Sequence, residues 1–129
     1  MNGILLGLGQ LVNPMALAAL LGGVVIGLIV GSLPGLNDSI TMAVLIPITF
    51  GMEPQGAICL LIGIYCASAC GGSIPSILLK IPGTASATVT AYDGYPMSQK
   101  GKSGEALGFA ISSSTFGGIS SAIVLLFLS

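Results

Sequence analysis

Two Pro-Gly dipeptides interrupt the apolar parts of this sequence, and both have polar residues close by. We call residues 33–36 (Leu-Pro-Gly-Leu) the first break and residues 81–84 (Ile-Pro-Gly-Thr) the second break. Proline disfavours helix at the residue before it, and glycine permits the backbone to turn. Helices interrupted in this way are typical of transporters, where free N–H groups bind anions and unwound carbonyls bind cations. The alternative is two ordinary loops at the membrane surface.

Two ionisable residues, Asp38 and Lys80, stand beside the breaks. Ionisable groups in membrane segments are costly unless they are paired or functional. The Lys80 ammonium could bind a substrate carboxylate or pair with Asp38, whereas oxygen-rich side chains around Asp38 suit a hard cation. The alternatives are that Lys80 reaches to an interface and that Asp38 only caps a helix.

These patterns define two sets of candidate residues and predict no catalytic or metal centre. The substrate-binding candidates are Pro34, Gly35, Leu36, Lys80, Pro82, Gly83, Thr84 and Ser86, and the ion-coupling candidates are Asn37, Asp38 and Ser39. Catalysis is disfavoured because the chain has no histidine to act as a base. Cys59, Cys66 and Cys70 share one helix stripe without other metal ligands, so we interpret them as packing residues.

The composition predicts an all-α integral membrane protein. Only seven of the 129 residues are charged, and 53% are hydrophobic. A soluble domain needs charge on roughly a quarter of its residues, so lipid must be the solvent of this chain. The near-zero net charge and the lack of a basic stripe argue against nucleic acid as a partner.

Hydropathy and punctuation predict a polytopic bundle with discontinuous or re-entrant helices. The predicted spans are about 15–33, 57–79 and 105–128, with short or half-helix segments at about 39–50 and 85–92. Residues 93–96 are predicted to turn the chain into a polar loop, 97–104. Lys100 and Lys102 predict that this loop is cytoplasmic. Small residues recur every four positions, which favours close helix contacts; they are Gly23, Gly27 and Gly31 in one stripe and Gly63, Ala67 and Gly71 in another.

Four ordered motifs resemble the TctA family, the large membrane subunit of tripartite tricarboxylate transporters. They are GxxxGxLPGLN at 27–37, LIPITFGMEP at 45–54, GGSIPSILLKIPGTAS at 71–86 and DGYPM at 93–97. The resemblance covers nearly the whole chain. It departs from the family at Lys80, where Asn is usual, near Cys66 and Cys70, where aromatic residues are usual, and at Asn37-Asp38, where Gly-Pro is frequent.

The resemblance implies ion-gradient-driven carboxylate uptake across the bacterial inner membrane, by Na⁺ or H⁺ symport without a bound cofactor. It implies as partners a periplasmic solute-binding protein, a small membrane subunit and the remainder of the large permease subunit. Family members are several times longer, so residues 1–129 are expected to be the N-terminal part of the membrane domain and half of an inverted repeat. The alternative is a non-transporting subunit or degenerate fragment that only packs with partners.

Overall fold

The computed structural model describes residues 2–36 and 38–128, and all regular structure in these ranges is α-helical. In chain order the helices are α1 (Asn2–Leu11), α2 (Pro14–Gly31), α3 (Asp38–Thr49), α4 (Pro54–Gly71), α5 (Ser73–Leu79), α6 (Thr88–Gln99) and α7 (Ser103–Leu128). The prediction of an all-α fold is confirmed.

Three apolar stretches in the described residues are long enough to cross a membrane: Pro14–Gly31, Pro54–Leu79 and Ser103–Leu128. The first has 18 residues and the others have 26 each, so they rise ~27 and ~39 Å along their axes. The second stretch contains both α4 and α5, which are divided at Gly72. Pro75 has no amide hydrogen to donate to the Gly71 carbonyl, which weakens the helix at this division.

Helices α2 and α4 pack side by side through the two predicted small-residue stripes, which are thereby confirmed as contact faces. A Cβ atom on Gly27 would lie 2.5 Å from the Ile64 carbonyl oxygen, and one on Gly31 would lie 2.5 Å from that of Ser68. On the other side, a Cβ atom on Gly63 would lie 2.7 Å from the Leu20 carbonyl oxygen. Contacts advance in the same direction along both helices, so α2 and α4 are parallel.

This parallel arrangement determines the path of α3. The chain leaves α2 at one end of the pair and must return to the other end before α4 begins. Helix α3 has 12 residues and rises ~18 Å, about two-thirds of the height of α2. The predicted half-helix or re-entrant segment at about 39–50 thus corresponds to one short helix, α3.

The helix bounds around the predicted polar loop differ from those expected from the sequence. Helix α6 (Thr88–Gln99) continues through the predicted turn at 93–96, with Pro96 inside the helix. The predicted segment 85–92 is therefore wrong in both bounds. Packing overrides the turn residues here, because a Cβ atom on Gly94 would lie 2.6 Å from Cγ1 of Ile77 in α5. The polar loop shortens to residues 100–102.

Helix α1 (Asn2–Leu11) was not among the predicted elements. A turn at Val12 and Asn13 separates it from α2, and the Asn13 side chain accepts a hydrogen bond from the Met15 amide at 3.4 Å. Pro14 occupies the first helical position of α2, where its missing N–H costs nothing.

Candidate functional site at the helix breaks

The first break is a closed turn on the surface of the described chain. The Leu36 amide donates to the Leu33 carbonyl at 3.3 Å, and Gly35, the second central residue, has φ +94°. Proline followed by a glycine of positive φ is characteristic of a type II turn. Pro34 and Gly35 are exposed, and a Cβ atom on Gly35 would meet nothing within 4 Å.

Lys80, the residue directly before the second break, ends α5 in the left-handed conformation with φ 59°. Glycine and asparagine tolerate this conformation better than lysine does, so the backbone at Lys80 is strained. Beyond it, Gly83 and Thr84 are buried, with Thr84 only 3% exposed. The second break thus turns into the protein, whereas the first turns outward.

Three glycines meet where the second break enters the bundle, and we call Gly31, Gly72 and Gly83 the glycine junction. The Gly83 amide donates to the Gly72 carbonyl at 3.3 Å. A Cβ atom on Gly83 would lie 2.7 Å from the Gly31 carbonyl oxygen and 2.8 Å from the Gly72 Cα. The second break therefore packs against the end of α2 and the α4–α5 division at once.

Side-chain hydroxyls surround this junction. A Cβ atom on Gly72 would lie 2.7 Å from Oγ1 of Thr84, and Oγ1 of Thr84 lies 3.1 Å from Oγ of Ser86. The buried Ser76 hydroxyl donates to the Gly72 carbonyl at 2.8 Å. Oγ of Ser68, beside Gly31, is buried without a hydrogen-bond partner among the described residues. A buried polar atom without a hydrogen-bond partner is rare and is often explained by a bound water or ion.

The backbone amides that precede α6 differ in whether they donate a hydrogen bond. The Gly83 amide donates to the Gly72 carbonyl, so this amide is not free to bind an anion. The amides of Thr84, Ala85 and Ser86 make no backbone hydrogen bond in the described part of the chain. They precede the first turn of α6, where no side chain supplies a cap. Free donors are thus available at residues 84–86.

Lys80 is exposed, and its Nζ lies 5.6 Å from the centroid of the Tyr95 ring. This distance is within the range of a cation–π contact. Within residues 2–36 and 38–128 Lys80 forms no ion pair, so the possible Asp38 partnership is not observed. Lys80 and Pro82 line a cavity of about 130 Å³ with Thr88, Ala91 and Tyr92. The ammonium is therefore held beside α6, close in sequence to the free amides.

The ion-coupling candidates lie at the start of α3. Asp38 is half-buried in the first turn and Ser39 is exposed, while Asn37 lies outside the described residues. Among the described residues, no hydrogen bond or ion pair links Asp38 or Ser39 to the glycine junction. Of the candidates, the structure brings Gly83, Thr84 and Ser86 together, places Lys80 and Pro82 on a neighbouring cavity, and leaves Pro34, Gly35 and Leu36 in the outward turn.

Gly31 and Gly72 are the junction residues that the sequence pattern does not mark as part of a site. In the sequence, Gly31 is recognised as the last member of a small-residue stripe. Gly72 is recognised as part of the dipeptide Gly71-Gly72, which weakens a helix. Nothing in the spacing indicates that both contact a loop more than ten residues away. Ser68 also has no local signal, because a serine facing a glycine stripe looks like any small contact residue.

Comparison with known proteins gives two matches. Residues 17–129 match the family described as "Tripartite tricarboxylate transporter TctA family". An Agrobacterium vitis protein, described as "Uncharacterized 52.8 kDa protein in TAR-I ttuC' 3'region", is 40% identical over 120 residues. The match covers 93% of this chain and 24% of that relative, so the chain spans about a quarter of the relative's length. No solved structure matched the chain.

Proposed function

Since the chain belongs to the tripartite tricarboxylate transporter TctA family, we propose that it forms part of a membrane permease that takes up carboxylates under an ion gradient. The observation that carries this proposal is the glycine junction, where non-helical backbone enters a bundle of apolar helices. Irregular backbone at membrane depth is tolerated only where it is buried in protein or lines a wet cavity. A loop that leaves free amides there can bind an anion.

The donors near the junction suit a carboxylate. The free amides of residues 84–86 and the hydroxyls of Thr84 and Ser86 supply neutral hydrogen bonds, and Lys80 supplies a positive charge. A charged acceptor strengthens each of these hydrogen bonds. Pro82 and Gly83 act as supports that position the loop, and the turn at Pro34, Gly35 and Leu36 sets the start of α3.

The remaining parts of the proposal concern coupling and partners. Na⁺ or H⁺ is the driving ion, with Asp38 and Ser39 as oxygen ligands at the start of α3. A periplasmic solute-binding protein delivers the substrate, and a small membrane subunit and the rest of the permease complete the assembly in the inner membrane. We call this set, with the full-length permease, the complete assembly.

Substitution of Lys80 tests the substrate site. We expect Lys80→Met to weaken carboxylate uptake by the complete assembly roughly ten- to hundredfold in apparent affinity, because a charge-assisted hydrogen bond is lost. Lys80→Arg keeps the charge and the contact with Tyr95, so a partial loss is expected. Both replacements carry a Cβ atom and bear the same left-handed backbone at position 80.

Uptake of a panel of radiolabelled di- and tricarboxylates, measured at matched membrane expression, gives the affinities. If Lys80→Met has the same apparent affinity for carboxylates as wild type, Lys80 does not belong to the substrate site. An equal loss in Lys80→Arg and Lys80→Met would show that charge is not the reason for the effect.

Orientation is tested by cysteine labelling. Lys100 and Lys102 predict that the loop they share is cytoplasmic. The first half of α7 lies beside Leu28 and Cys70, which are close to the C-terminal ends of α2 and α4. These two C-terminal ends are therefore expected on the cytoplasmic side as well. In a cysteine-free background, we expect Ser98→Cys to resist an impermeant thiol reagent in intact cells and to react after permeabilisation. Glu53→Cys, at the opposite end of α4, should react in intact cells. The reverse pattern would overturn the orientation.

A further inference from the structure

A second cavity, of about 430 Å³, lies between α6, α7 and the start of α5. Its polar lining consists of one acidic side chain and four hydroxyls, and the rest is apolar. The polar residues are Asp93, Ser73, Thr90, Ser113 and Ser114, and the apolar neighbours include Val89, Met97, Ala106 and Phe109. None of these polar residues belongs to the candidate sites described above.

Most of these polar groups lack a partner. Among the described residues, the side chains of Asp93, Ser73, Thr90 and Ser114 take part in no hydrogen bond or ion pair. The Ser113 hydroxyl donates to the Ala110 carbonyl at 3.0 Å, which leaves the lone pairs of its oxygen available. The cavity therefore presents one carboxylate and four hydroxyl oxygens as unused acceptors.

The position of Asp93 makes an unused carboxylate expensive. Asp93 is six residues before the end of α6, which places it ~9 Å along the helix axis from that end. Across the cavity it faces residues 106–114 of α7, which belong to an apolar stretch long enough to span the membrane. Ionisable residues at such positions normally pair with another group or bind a ligand.

The chemistry of the lining selects the charge of the ligand. Asp93 would repel a carboxylate substrate and attract a cation. The described residues contain no group of three or more His, Cys, Asp or Glu side chains that could hold a metal ion, whereas divalent cations generally require several such ligands. One carboxylate with neutral hydroxyls balances a single positive charge and offers the oxygen donors that hard cations prefer.

We propose that Asp93, with the hydroxyls of Thr90, Ser73 and Ser114, binds Na⁺ in the cavity between α6 and α7. This site deepens the proposed function, on which it rests, by giving the driving ion a binding place separate from Asp38. Bound Na⁺ neutralises the charge of Asp93, which is exposed to the open cavity, and waters in that cavity complete the coordination of the ion. Since α6 directly follows the second break, Na⁺ binding at Asp93 acts on the same helix that carries the free amides at its start.

Equilibrium binding of radioactive Na⁺ to the purified full-length protein, with no carboxylate present, tests the site. Wild-type protein should bind Na⁺ saturably in excess choline chloride. Asp93→Asn is expected to lose roughly tenfold or more in affinity, since a charge-assisted contact disappears. Thr90→Val keeps the charge and nearly the same shape, so we expect a smaller loss of several-fold. Glu53→Gln removes an exposed carboxylate that makes no cap hydrogen bond and should bind like wild type.

Each outcome decides the proposal. Loss in Asp93→Asn and Thr90→Val with normal binding in Glu53→Gln supports it; if Asp93→Asn cannot be purified as a folded protein, Thr90→Val alone decides. Absence of saturable Na⁺ binding, or unchanged affinity in the Asp93 and Thr90 variants, overturns it. Carboxylate uptake by the wild-type complete assembly is measured separately, so that failure of the Na⁺ site leaves the proposed function standing and failure of uptake is recognised independently.

Discussion

Gly27→Val is expected to separate α2 from α4 and to destabilise the folded protein by ~3 kcal/mol, the upper end of the usual cost of overpacking. The added side chain starts from a Cβ atom 2.5 Å from the Ile64 carbonyl oxygen and 2.9 Å from the Ile64 Cα. These are backbone atoms of a neighbouring helix and cannot rotate away. In lipid, such close packing is itself the main force that holds helices together.

The matched control is Gly22→Val, five residues earlier on the same helix. A Cβ atom on Gly22 would meet nothing within 4 Å, so this variant has the same change in helix propensity without the clash. Heating detergent-solubilised protein and following the monodisperse fraction by size-exclusion chromatography compares the two variants. Equal thermal stability of Gly27→Val and Gly22→Val would contradict the parallel α2–α4 contact.

The α2–α4 contact is the part of the fold that the sequence predicts best. Glycine at every fourth position favours close approach of a neighbouring helix, and the second stripe in α4 supplies the complementary surface. What the stripes do not determine is direction, because parallel and antiparallel pairs use the same spacing. The direction depends on whether residues 32–53 return to the start of α2, which follows from packing of α3 rather than from its composition.

Predictions failed where tertiary packing overrode local signals. Residues 93–96 combine Asp, Gly and Pro, which are strong turn formers, yet α6 continues through them since Gly94 fits against Ile77. The same fit brings Asp93 to the cavity beside α7, which no turn prediction would do. The site itself was predicted as two similar breaks, whereas only the second enters the bundle. This asymmetry depends on Gly31 and Gly72, whose roles arise from contacts distant in sequence.

Gly83→Ala is expected to reduce carboxylate uptake by the complete assembly about hundredfold, since small displacements of positioning groups can have effects of this size. The added methyl group would lie 2.7 Å from the Gly31 carbonyl oxygen and 2.8 Å from the Gly72 Cα. The second break must then move away from the glycine junction, and Thr84 and Ser86 move with it. Gly51→Ala is the matched control. Gly51 lies in the connection between α3 and α4, where a Cβ atom would meet nothing within 4 Å.

Uptake of radiolabelled carboxylates into proteoliposomes that contain the complete assembly, under an imposed Na⁺ or proton gradient, tests the central claim most directly. We predict accumulation against the carboxylate gradient by wild type and by Gly51→Ala, and nearly complete loss in Gly83→Ala at equal amounts of folded protein. An absence of carboxylate accumulation by the wild-type assembly, or a wild-type rate in Gly83→Ala, would contradict the claim that the glycine junction forms part of a carboxylate pathway.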